Sequence, residues 1–238
     1  GSCLVLGSFQ GIIENAPDIA SVNVSPEGFA TKIYDSDENE IQTLSSAGAN
    51  RTYVTIDQIP KDLQHAFIAI EDERFYEHNG IDMRGILRAA SITLSSGEMS
   101  QGASTITQQL LKNNVFNAFN ESTIEKIKRK VQEQYLAIKL ETVMSKDSIL
   151  ENYLNTINLG NGYYGVQAAA RGYFNKDVSE LSISECAVIA SITKSPTGLN
   201  PIRHADRNKD RQSQVLLNMK EQEYISQEEY DEAVSDDV

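Results

Sequence analysis

A mainly α-helical protein with a small N-terminal β-hairpin element is the fold class this sequence predicts, and three observations predict it. From Thr55 onward apolar residues recur at helical spacing, as at Leu63, Ala66, Phe67 and Ile70 in DQIPKDLQHAFIAIEDERF. Good helix formers crowd long stretches such as STIEKIKRKVQEQYLAIKLETVM. By contrast FATKIYDSDENEIQTL alternates in places around a polar turn, SDEN, which is a hairpin signal. The expected division is a stub carrying the hairpin over 1–54 and a helical domain over 55–238.

The elements follow in order. The opening SCLVLGSFQGII is apolar but shorter than the roughly 20 residues a bilayer span needs. It reads either as the outer end of a membrane anchor or as a plain first strand or helix, and a chain starting with Gly reads as a processed fragment. NAPDIASVNVSPEG, rich in turn residues, is loop-like. After the hairpin come the helix leading to Phe75, the long helix after Ser122, and a helix capped by Ser145. VQAAARGYF and SISECAVIASI are further helices, the second starting near Ser182 or Ser184. Pro196 and Pro201 break the chain before a tail of two helices with a turn near Tyr224. The final SDDV is expected to fray.

Composition bounds the function. With 238 residues, 40% of them apolar and 23% charged, the chain has material for one large domain or two small ones and should fold. A net charge of -13 argues against a general nucleic-acid binder. Of the two cysteines, Cys186 lies in an apolar run and reads as core packing, so no disulfide with Cys3 is expected. Three histidines and no Cys cluster leave little material for a structural zinc site.

Four windows hold chemistry. In AIEDERFYEHNGID, Glu71 follows Phe67, Ile68 and Ile70. Apolar walls raise a carboxylate's pKa and suit it to take a proton from a hydroxyl; a solvated helix end is the competing reading. SQGASTITQQLLKNN sets neutral hydrogen-bonding side chains and Lys112 around a helix start, where backbone N–H groups attract anions; an ordinary capped helix explains it equally. In KIKRKVQEQYLAIKLE, Glu133 shares a helical stripe with Arg129, Leu136 and Leu140. It is either paired structurally with Arg129 or a second acid facing a cleft, with Lys130 close by for an anion. In ILENYLNTINLGNGYYGVQAAARGYF, Glu151, Asn152 and Asn155 precede a tight turn at Gly160, Gly162 and Gly165. That loop follows a helix rather than a strand, which discounts a nucleotide site.

Together and in this order, EDERFYEHNGID, GASTITQQ, RKVQEQYLAIKLE, KDSILENYLNTINLGNGYYGVQAAARGYF and AVIASITKSPTGLNP resemble the five motifs of the peptidoglycan glycosyltransferase domain, glycosyltransferase family 51, found in class A penicillin-binding proteins and monofunctional transglycosylases. The resemblance covers about residues 55–235. It implies a lysozyme-like helical fold and polymerisation of lipid II into glycan strands. In that reaction the acceptor's 4-hydroxyl attacks C1 of the lipid-linked strand, configuration inverts and undecaprenyl pyrophosphate leaves. By motif position Glu71 matches the catalytic base and Glu133 the second acid, near the leaving pyrophosphate or its metal. Lys112 and Lys130 match pyrophosphate-binding lysines, and Ser104, Gln108 and Gln109 the polar wall of the donor site. Arg74 and Arg88 match cleft arginines; Arg129 and Asn155 complete the expected substrate-binding set.

The resemblance admits a divalent cation, Mg²⁺ or Mn²⁺, and calls for no organic cofactor. It implies as partners lipid II, the growing glycan strand, a membrane surface and other cell-wall synthesis proteins, at the outer face of the cytoplasmic membrane of a bacterium. RGILRAASITLSSGEMS fits the family's apolar segment that dips into the bilayer, through Ile86, Leu87, Ile92, Leu94 and Met99; a core helix is the competing reading. There are departures. NVFNAFNESTIE lacks the Arg common in that segment, with Lys126 or Lys128 to stand in, and Ser191-Ile192 replaces Ala-Gly. Leu199 and Asn200 replace a common Tyr. A lysozyme-like hydrolase would also use carboxylates beside a sugar but would not need lysines for a pyrophosphate. An inactive glycan- or lipid-binding module would not need the two acids.

Overall fold

The computed structural model describes residues 10–25, 31–34, 40–44, 52–96, 102–116 and 122–238. These are mainly helical, as expected, and the chain forms two compact units. Unit one comprises Gly1–Ser25 and Arg74–Leu150; unit two comprises Pro26–Glu73 and Glu151–Val238. The units cut across the expected division at 54/55 rather than decide it.

Unit one opens with a short helix, α1, over 10–14 and a single 3₁₀ turn, Ile19–Ser21, capped by Asp18. Its body is α3 (Met83–Ser96), α4 (Ile106–Asn114) and α5 (Thr123–Val143), with α4 packed on α5. Capping boxes start the last two: Thr105 with Gln108, and Ser122 with Glu125, each side chain satisfying the other's backbone N–H. Gly80 lies at φ 102, and a Cβ there would meet the Ala137 carbonyl oxygen of α5 at 2.5 Å, so this turn seats its backbone directly on α5. The chain enters α6 (Lys146–Thr156) in unit one and leaves it in unit two.

Unit two is built on α8 (Ile183–Ile192), which is buried almost all round, the mark of a helix at a core's centre. Ser182, the first of the two expected starts, caps it in a box with Glu185. Packed on α8 are α2 (Lys61–Glu71), α9 (Ala205–Glu221) and α10 (Gln227–Ser235), the last two being the expected tail pair. Leu63 and Phe67 of α2 are fully buried, each contributing about 1.5–3 kcal/mol by leaving water. Cys186 is buried in α8, and burial pushes its thiol up, consistent with core packing; Cys3 lies outside the described residues.

Three details differ from the sequence pattern. The helix expected through DQIPKDLQHAFIAIEDERF is a 3₁₀ turn at Ile56–Gln58 followed by α2, because Pro60 sits at the break. It also stops at Glu71, with Asp72 extended at φ -160. And α7 (Val166–Ala169) widens into a π turn over Ala170–Phe174, ended by left-handed Asn175. Strands β1 (Thr31–Tyr34) and β2 (Glu40–Leu44) pair antiparallel with Thr31 opposite Leu44, while SDEN, on which the hairpin reading rests, lies outside the described residues.

Candidate active site

In unit one, Glu133 is the central group. Its side chain is 1% exposed, and an acid so buried needs compensation. Arg129 Nη1 donates to Oε2 at 2.9 Å and Lys130 Nζ to Oε1 at 2.8 Å. Both donors are on α5, one turn upstream, so the i,i+4 and i,i+3 spacing sets the cluster. Lys130 Nζ also donates to Ser104 Oγ at 2.7 Å, just before the cap of α4. Two cations thus meet on one carboxylate, in a chain of net charge -13. The expected Arg129 partner is present, and Lys130 is a second.

The start of α4 is fixed from two sides. Thr105 Oγ1 donates to the Gly80 carbonyl at 2.7 Å, and Thr107 Oγ1 to Glu141 Oε1 at 2.7 Å. Glu141 is held in turn by Lys146 Nζ, which also reaches the His78 carbonyl at 2.7 Å and lies 4.5 Å from the Phe75 ring centre. His78 Nδ1 accepts the Gly80 N–H at 3.0 Å. Gln108 is fully buried; its Oε1 accepts from the Thr105 N–H, and its Nε2 has no hydrogen-bond partner among the described residues. Gln109 is half-buried and Lys112 exposed, in the last turn of α4. Arg88 is exposed on α3, and Arg74 is paired with Asp82.

In unit two, Glu71 occupies the last turn of α2. That turn is clamped from α9: Asn218 Nδ2 and Gln222 Nε2 both donate to the Ala69 carbonyl, at 3.1 and 3.0 Å, satisfying a helix-end group without an intrahelical partner. Glu71 Oε1 accepts from Thr193 Oγ1 at 2.6 Å. Close by, Tyr153 is fully buried, and burial first, then the charges of Glu71 and Asp72, hold its phenol well above the ordinary value. Phe67 and Ile68 of α2 are fully buried, while Ile70 and Glu71 are half-buried.

Asn155 lies in unit two's part of α6. It is 2% exposed; its Oδ1 accepts the Val54 N–H at 2.9 Å, and its Nδ2 donates to the Val54 and Glu151 carbonyls at 2.8 Å. Glu151 likewise binds Tyr53 and the Ile56 N–H. These side chains tie the segment before α2 to α6. The structure thus gathers Ser104, Arg129, Lys130 and Glu133 in unit one. Glu71 is held in unit two by Thr193, a residue not foreseen, as Glu141 and Lys146 in unit one were not. Met99 lies outside the described residues, as does part of the segment lacking Arg.

Residues 37–220 match the model of a family described as Transglycosylase. Penicillin-binding protein 1A of Escherichia coli (strain K12) is 44% identical over 98% of this chain and 26% of its own length. Penicillin-binding protein 1F of Bacillus subtilis (strain 168) is 45% identical over 84% of this chain and 27% of its own. This chain thus spans about a quarter of the length of either relative. Among solved structures, the 2.6 Å crystal structure of penicillin-binding protein 1A from Haemophilus influenzae superposes with a TM-score of 0.50 and 26% identity, covering 89% of this chain and 21% of that one.

Proposed function

This chain belongs to the transglycosylase family, and from that membership we propose that it is a peptidoglycan glycosyltransferase that polymerises lipid II into glycan strands. The observation that carries the reading is the cluster at Glu133. A departing pyrophosphate needs preorganised positive charge. A buried acid gripping Arg129 and Lys130 supplies it, because both side chains are fixed before substrate arrives. Lys112 adds a second ammonium from α4, and Ser104, Gln108 and Gln109 offer hydrogen bonds to the donor. Arg74 and Arg88 complete the substrate-binding set.

In this reading the acceptor's 4-hydroxyl attacks C1 of the lipid-linked strand from the face opposite the pyrophosphate. The C1–oxygen bond to the pyrophosphate breaks as the new glycosidic bond forms, so configuration inverts. The hydroxyl proton passes to Glu71, and undecaprenyl pyrophosphate leaves with the bonding electrons. Thr193 on Oε1 fixes how the Glu71 carboxylate is presented. The described residues hold no cluster of three His, Cys, Asp or Glu able to bind a metal, and both Glu133 oxygens are held by cations. That donor set does not fit a resident Mg²⁺ or Mn²⁺, so in our reading such an ion comes with the substrate's pyrophosphate, and no step is routed through it.

The same reading places the chain at the outer face of a bacterial cytoplasmic membrane, on a lysozyme-like helical domain with the N-terminal hairpin, alongside other cell-wall synthesis proteins. Among the described residues no helix is long and apolar enough to cross a membrane. On α3, Leu87 is 67% and Leu94 87% exposed, which favours contact with lipid over a core helix. Labelled lipid II in detergent, incubated with the parent and with Glu71→Gln and resolved by size, tests the activity. A ladder of longer glycans from the parent alone is expected. Shortened glycans would indicate a hydrolase, and equal ladders from both proteins would remove Glu71 as the base.

A further inference from the structure

Thr193 is a threonine at the C-terminal cap of α8, a position that asks for nothing from its side chain. Its hydroxyl nonetheless faces two acceptors. One is Glu71 Oε1 at 2.6 Å, the other the Ala190 carbonyl at 3.0 Å. A hydroxyl has one proton to give and lone pairs to accept with. It therefore serves one acceptor at a time, and which one depends on the carboxyl. Against an ionised Glu71 the short, charge-assisted bond takes the proton. Ala190 lies in the last turn of α8, whose carbonyls lack intrahelical partners, so it is available as the second acceptor.

We propose that Thr193 is a positioning residue for Glu71 that serves both protonation states of the base. While Glu71 is ionised, Thr193 O–H donates to Oε1. Once Glu71 has taken the acceptor sugar's proton on Oε2, half a turn of the carboxyl brings that O–H to Thr193 Oγ1, and the Thr193 proton turns to the Ala190 carbonyl. No proton is created or lost: the carboxyl and one hydroxyl rotate, and Glu71 returns its proton to water between turnovers. The carboxyl thus keeps a partner through the cycle without moving α2, whose end α9 already clamps at Ala69. The proposal rests on the reading of Glu71 as base, but its own content is the hydroxyl.

Steady-state polymerisation of lipid II by Thr193→Val, Thr193→Ser and Glu71→Gln tests it. Thr193→Val keeps the branched shape and removes the rotor. Its kcat is expected to fall about tenfold, the scale of one hydrogen bond to a charged group, with KM within about twofold. Thr193→Ser should restore kcat to within about twofold of the parent. Should Thr193→Val not melt like the parent, Thr193→Ala takes its place against the same serine variant. An undiminished kcat in Thr193→Val would overturn the proposal, as would a loss that serine does not restore. Full turnover by Glu71→Gln would overturn the base reading itself, and this proposal with it.

Discussion

Arg74 holds Asp82 through Nε at 3.1 and 3.2 Å and Nη2 at 2.6 Å, closing the turn that leads into α3. These hydrogen bonds hold the Asp82 carboxyl below its ordinary value, against burial, which pushes it up. A group depressed on folding stabilises the fold above its unfolded pKa, and that contribution is lost as pH falls through the folded value. Melting temperature is therefore expected to decline on the acid side of the usual carboxylate range, and Asp82→Asn should melt lower at neutral pH with a flatter acid limb. An unchanged limb in Asp82→Asn would deny Asp82 that role. At this scale the sequence was informative where chemistry is local. Glu133 drew notice as an acid on a leucine stripe, and the structure supplies its cations from the same helix. Thr193 drew none, because it meets Glu71 across 122 residues of chain.

Helix starts were legible for the same reason: a capping box is a four-residue event. Ser122, Ser182 and Ser226 each precede a Glu three positions on, and each caps its helix. The π turn after α7 was not legible, since the ring packed over it comes from the loop before the helix. A Cβ on Gly172 would lie 2.2 Å from the Tyr163 ring, so that ring occupies the space over the turn. The α3 helix carries its own test. Met83, Leu87 and Leu94 share one face, at spacings of four and seven residues, and are all exposed. Replacing Leu87 and Leu94 by Glu should weaken sedimentation with phospholipid vesicles several-fold while leaving the melting temperature nearly unchanged, because exposed substitutions usually stay within about 0.5 kcal/mol. Unaltered sedimentation would return α3 to the role of an ordinary solvent-facing helix.

Neither unit is one continuous stretch of chain. The chain passes between them at 25/26, at 73/74 inside EDERFYEHNGID, and at 150/151 inside α6. No composition shift marks these points, which is why the sequence suggested a single cut at 54/55. One consequence is measurable. Residues 151–238 carry α8, α9 and α10 but lack α2, which packs on two of them. As a separate fragment they should lose cooperative melting by circular dichroism; a sharp transition like the parent's would mean that α2 is dispensable to that core.

The turn at Gly80 has a consequence of another kind. Every other residue brings a Cβ, and at φ 102 that atom would fall 2.5 Å from the Ala137 carbonyl, on the helix that carries Glu133 one turn earlier. All single-base missense changes of a glycine codon add a Cβ, so no missense neighbour of position 80 spares that contact. Drift there cannot be gradual. A lineage could cross it only after α5 had already given way, and the charge cluster on that helix would have to be rebuilt in the same passage.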